Sequence, residues 1–89
     1  MSTYNVYRSN VQRDPGIEPG TILMRPDWDN SSEFFVIDPS TGKNMGWTFT
    51  RLGRKNLPLI GRIKGICGVG DTLAPEHLKQ LKHLLTTAP

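Results

Sequence analysis

The first side chains to consider are five cations between positions 51 and 64: Arg51, Arg54, Lys55, Arg62 and Lys64. Ile60, Arg62, Lys64 and Ile66 fall on one face of an extended stretch, because strand side chains alternate. Arg54 and Lys55 sit in the turn Gly53-Arg54-Lys55-Asn56 that feeds this stretch, close enough to continue its surface. Arg51 falls on the nominally inward face of the preceding strand, near its edge. A compact basic group of this kind can hold the phosphates of a nucleic acid. The same residues also suit a solvated loop that carries charge for solubility.

A second candidate is Trp28, next to Asp27 and Asp29 in the polar loop Asp27-Trp28-Asp29-Asn30-Ser31-Ser32 and close to Arg25. Exposed aromatic faces beside cations stack nucleobases, but the two flanking carboxylates repel phosphates and suit a basic protein partner. The competing expectation is a loop anchor folded over the core.

Other chemistry is sparse. His77 and His83 are six positions apart and fall on different sides of a helix, so they do not form the i, i+4 pair that shares a metal. No second cysteine accompanies Cys67 for a zinc site. Cys67 itself reads as an inert thiol on an apolar face, with Lys64 and a helix start as its only activating neighbours. Gly68-Val69-Gly70 precedes a helix, as phosphate loops do, but lacks the full glycine pattern and a βαβ setting. No acid/base pair can be read from the spacing of Asp and Glu. No catalytic residue, cofactor or metal is therefore expected.

The chain has 89 residues, enough for one domain with a modest core. Its formal charge of +3 and pI of about 9.4 allow an anionic partner without requiring one. One cysteine rules out an internal disulfide and fits a reducing compartment. No apolar run forms a signal peptide at the N-terminus or approaches a membrane span. The simplest reading is a soluble cytoplasmic protein.

Nine glycines and seven prolines imply many turns and a β-rich fold. Strands are expected at about 4–10, 21–25, 33–37, 45–52 and 59–67, and a helix at about 74–86. The first strand is short and half polar, as an edge strand is. Two Pro-Gly pairs, at 15–16 and 19–20, fit type II turns, with Ile17 between them tucked inward. Glu33-Phe34-Phe35-Val36-Ile37 is apolar on both faces and reads as the most buried strand. Met45, Trp47 and Phe49 are expected inward, with Thr48 and Thr50 outward. Leu59 through Cys67 then follows as the next strand of a meander, with Gly61, Ile63 and Gly65 on its apolar face. Asp71 or Thr72 is the expected helix cap, and Leu78, Leu81, Leu84, Leu85 and His77 share one helix side. The fold expected is α+β: a small, strongly bent antiparallel sheet or barrel of about five strands, with one C-terminal helix packed on Gly61 and Gly65.

A compact β-barrel followed by the Leu-rich helix from Leu73 to Leu85 resembles small toxin nucleases of the MazF kind. The resemblance rests on that helix and the order of elements, and it carries no active-site residue over. Three functions follow as expectations. The first is a non-enzymatic binding module of a regulatory kind that contacts nucleic acid through the basic turn and strand face. The second is a protein-interaction module or inhibitor that uses Trp28, Asp27 and Asp29. The third is a toxin-like nuclease.

Overall fold

The computed structural model describes residues 3–10, 17–51 and 56–87. It contains five strands and one helix: β1 (Tyr4–Arg8), β2 (Ile22–Pro26), β3 (Glu33–Ile37), β4 (Asn44–Phe49), β5 (Leu59–Ile63) and α1 (Pro75–Thr87). The strands form one antiparallel sheet in the order β4-β3-β2-β1-β5. The fold is α+β, as the sequence predicts, and the sheet is open rather than closed into a barrel.

The order corrects two expectations. The meander is β1 to β4, not the three strands ending in β5. β5 lies on the far side of β1, with Tyr4 opposite Ile63 and Val6 opposite Gly61. That places β1 inside the sheet rather than at its edge. β5 is also shorter than expected, since the chain leaves the ladder after Ile63.

The two faces of the sheet are packed differently. Val6, Ile22, Met24, Ile37 and Ile63 form one cluster with Leu73 and Leu81, and α1 covers this face. Leu81 is fully buried, which is worth about 1.5–3 kcal/mol for a side chain of its type. Gly61 of β5 and Gly65 just beyond it let the helix come close, as expected. A Cβ at Gly61 would lie 2.9 Å from Leu84 Cδ1, and one at Gly65 2.6 Å from His77 Nε2. The opposite face carries a second cluster of Leu23 and Phe34, closed by the loop residues Ile17 and Leu57, with Tyr7 and Val36 beside them. Ile17 thus anchors its loop as the sequence suggests. The turn at Pro19-Gly20 forms, with Gly20 at φ 91°. The Pro15-Gly16 pair lies outside the described residues.

Burial peaks in β2, whose Ile22, Leu23 and Met24 are inaccessible on both faces, rather than in β3. β2 is the middle strand of five, so both its faces and both its edges are covered. The pattern in β4 is the reverse of the one expected. Met45, Trp47 and Phe49 are exposed, whereas Thr50 is buried and Thr48 half-buried. Trp47 and Phe49 do lie on the helix side of the sheet, opposite Phe35 and Glu33. However, α1 packs over β5 at the opposite edge and leaves β4 uncovered.

Asn44 is the buried polar hinge of this edge. Its amide nitrogen donates to the Cys67 carbonyl at 2.9 Å, and its Oδ1 accepts from Gly46 N at 2.9 Å. Its backbone pairs with Asp71 and Gly70. Every polar group of the residue is thereby satisfied, as burial demands. The 67–71 segment is spent on this task, so neither Asp71 nor Thr72 caps the helix. Thr72 bridges Lys43, and Ala74 O accepts the first helical bonds from His77 and Leu78.

Candidate nucleic-acid interface

The loop-covered face presents a trough built from alternate residues of neighbouring strands. Arg25 of β2 is at its middle. The register sets Asn5 opposite Arg25 and Tyr7 opposite Leu23, and Phe34 of β3 shares this face. The Arg25 guanidinium lies over two rings, 4.7 Å from the Phe34 centroid and 5.4 Å from that of Tyr7. Tyr7 and Phe34 meet edge to face at 5.5 Å. Arg25 Nη1 donates to the Ser31 carbonyl, which ties β2 to the loop after it. Its Nε is buried with no hydrogen-bond partner among the described residues.

Two adjoining hollows share Tyr7, Arg25, Asn30 and Leu57 and make one continuous trough. The first, of about 280 Å³, extends to Phe34, Thr50 and Arg51. The second, of about 350 Å³, extends to Asn5, Asp27, Asp29 and Leu59. Each is at the small end of the range for small-molecule sites, roughly 300–1,000 Å³. At the second end Arg62 Nε donates to Asn5 Oδ1 at 3.0 Å, while Asn5 Nδ2 donates to the Tyr7 hydroxyl at 3.2 Å. Cations therefore mark the trough in the middle, at Arg25 of β2, and at the second end, at Arg62 of β5; Arg51 borders the first end with its guanidinium drawn to the Phe49 ring on the other face.

The expected basic cluster is thus redistributed. Arg51 is exposed, with its guanidinium 5.3 Å from the Phe49 ring centroid. It follows β4, at the opposite edge of the sheet from Arg62 and Lys64. Arg62 and Lys64 are both exposed, as expected of the outer face. Arg54 and Lys55 lie outside the described residues. The sequence points to Arg25 only as a neighbour of Trp28 and does not single out Tyr7, Asn5 or Asn30. The signal that would find the first three is strand parity, which puts Asn5, Tyr7, Leu23 and Arg25 on one face once β1 and β2 are aligned.

Trp28 is 73% exposed and does not fold over the core. It follows Asp27 at the rim of the second hollow. Asp29 holds its loop through a 2.7 Å bond from Ser31 N to Oδ1. The Ser31 backbone and hydroxyl, aided by Arg25, keep the Asp29 carboxyl below the ordinary carboxylate value. Cys67 is half-buried and its thiol donates to the Asp71 carbonyl at 3.3 Å. His77 packs on Gly65, on the helix side of the sheet and away from the trough. Among the described residues no three His, Cys, Asp or Glu converge on a metal position. Among the described residues no helix is long and apolar enough to cross a membrane.

Comparison with protein families, curated proteins and solved structures finds no match to this chain.

Proposed function

We propose that the chain is a non-enzymatic binding module that holds single-stranded nucleic acid along the trough. The observation that carries this reading is Arg25 in the middle of the trough and Arg62 bonded to Asn5 at its end, beside the accessible apolar surface of Tyr7 and Leu59. A single strand alternates anionic phosphates with planar apolar bases. The exposed Arg62 suits a phosphate, and the half-buried Tyr7 and the exposed Leu59 offer apolar surface to a base. Asn5 and Asn30 add amide donors and acceptors that can meet base edges. A cytoplasmic location belongs to this reading, since the one thiol, Cys67, is free.

Trp28 supports a second reading. An exposed tryptophan beside Asp27 and Asp29 is a natural anchor for a basic protein partner. The nuclease reading rests on the Leu-rich helix and the order of elements, and the open sheet is not the barrel it supposed.

Fluorescence titration of short single- and double-stranded oligonucleotides at two salt concentrations tests the first reading. Tighter binding of single strands is expected, with affinity falling steeply as salt rises. Absence of binding below about 100 μM at low salt, the edge of the non-specific range, removes the nucleic-acid reading and leaves the protein partner.

A further inference from the structure

β4 is an edge strand with no charge inside it, flanked by Lys43 and by Arg51, whose guanidinium lies over the Phe49 ring. Natural edge strands carry lysine, proline or other devices that discourage pairing with another chain. The opposite edge of this sheet has them: β5 is preceded by Pro58, contains Arg62 and is followed by Lys64. β4 reads Asn-Met-Gly-Trp-Thr-Phe and contains no charge. It exposes 58% of Met45, 56% of Trp47 and 56% of Phe49.

The backbone of this edge is available over a short, defined length. Thr50 N donates inward to Ser32 O. Because antiparallel pairs alternate between bonded and non-bonded types, Thr48 is also bonded inward to β3. Trp47 and Phe49 then turn their N–H and C=O groups away from the sheet. No bond to these groups is found among the described residues. At the other end of the strand, Gly70 and Asp71 already occupy the outward groups of Asn44. The open ladder is thereby confined to the region around Thr48.

We propose that β4 pairs antiparallel with β4 of a second copy of this chain, about a two-fold axis through Thr48. This register sets Trp47 opposite Phe49 of the second copy, and Phe49 opposite its Trp47. Both are outward-facing residues, so the two pairs close about four ladder hydrogen bonds. Side chains directly opposite each other share a face, so each tryptophan packs on a phenylalanine and the two threonines meet on the other face. Aromatic and threonine cross-strand pairs are among the favourable ones. The absence of charge along β4 selects a second copy over a charged peptide, since two chains of net charge +3 meet here without opposed cations. A symmetric, self-complementary patch is what a two-fold dimer requires. Phe35, stacked under Trp47 at 3.7 Å between centroids, holds the indole in place for the contact. The trough lies on the other face and stays open in the dimer.

The test combines sedimentation velocity with a register-specific crosslink. Wild type should shift from monomer toward dimer between about 10 and 500 μM, the range of a micromolar dissociation constant. Phe49→Lys, at an exposed position, should hold the monomer value throughout while retaining the wild-type circular dichroism spectrum. In a Cys67→Ser background, Thr48→Cys should form an intermolecular disulfide on mild oxidation. Non-bonded pairs bring Cα atoms to about 4.5 Å, within the span of a disulfide. Thr41→Cys, in the exposed hairpin, should give no crosslink in the same background. A wild type that stays monomeric throughout overturns the proposal. So does a dimer that survives Phe49→Lys, or one in which Thr41→Cys crosslinks as fast as Thr48→Cys.

Discussion

The imidazole of His77 occupies the space a side chain at Gly65 would need, with Nε2 2.6 Å from the position of the missing Cβ. Gly65 is buried, and its backbone is not in the left-handed region. Its glycine is therefore required by helix packing, not by backbone conformation. Gly65→Ala should destabilise the fold by about 1–3 kcal/mol, the range for overpacking a filled interior. Adding His77→Ala should restore part of the loss, because residues in contact are not additive. Thermal melts of the two single variants and the double variant check this. Strict additivity would mean that the helix does not rest on Gly65 through His77.

Asn44 should be the costliest polar residue to remove from the hairpin. Asn44→Ala leaves Gly46 N and the Cys67 carbonyl without their partner. Unsatisfied buried groups of this kind cost about 1–3 kcal/mol each. Urea unfolding should show the loss as a lower midpoint. A midpoint equal to wild type would show that the 67–71 segment does not depend on this side chain.

Phe34 and Phe49 lie on neighbouring strands, on opposite faces of the sheet, and differ sharply in role. Phe34 is 3% exposed within the loop-side cluster, and Phe49 is mostly in solvent. Phe34→Ala should cost about 3–5 kcal/mol. Phe49→Ala at low protein concentration should cost about 0.5 kcal/mol, as surface changes do. Chemical denaturation at a few micromolar separates the two. Equal losses would restore Phe49 to the core, where alternation alone had put it.

That contrast shows what the sequence made legible. The α+β class, the positions of the five strands and of the helix, the inward tuck of Ile17 and the helix-facing glycines at 61 and 65 follow from local periodicity and turn chemistry. The partner of β5 does not, because nothing local distinguishes closure onto β1 from continuation of the meander. The facing of Trp47 was also hidden. Its side of the sheet followed from alternation, but its exposure depends on how far α1 reaches from the other edge. The trough was illegible for the same reason. Arg25, Tyr7 and Asn5 become neighbours only through the β1–β2 register, and Arg62 joins them only because β5 crosses to β1. Sequence proximity instead grouped Arg51 with Arg62 and Lys64, which belong to opposite edges.

The acidic rim distinguishes the two readings of function. Asp29 stays ionised to lower pH than an ordinary aspartate because the Ser31 backbone and hydroxyl hydrogen-bond its charged form. At neutral pH it and Asp27 oppose phosphates bound near the second hollow. Asp27→Asn with Asp29→Asn should strengthen oligonucleotide binding about threefold to tenfold at low salt, and less at high salt as screening grows. Competition binding with a labelled oligonucleotide checks the sign. Unchanged or weaker binding would show that the two carboxylates do not face bound phosphates, against the trough reading.

The most direct measurement of the central claim is a 1H–15N chemical-shift map recorded while an unlabelled single-stranded oligonucleotide is added at low salt. The trough reading predicts the largest shifts at Asn5, Tyr7, Arg25, Asn30 and Arg51, together with the Arg25 and Arg62 Nε–H signals. The amides of α1 and of the β4 edge around Trp47 should move little. Raising the salt should reverse the shifts together, with the loss of affinity set by the number of phosphate contacts. Shifts confined to α1 or to the β4 edge, or no shifts at saturating oligonucleotide, would contradict it.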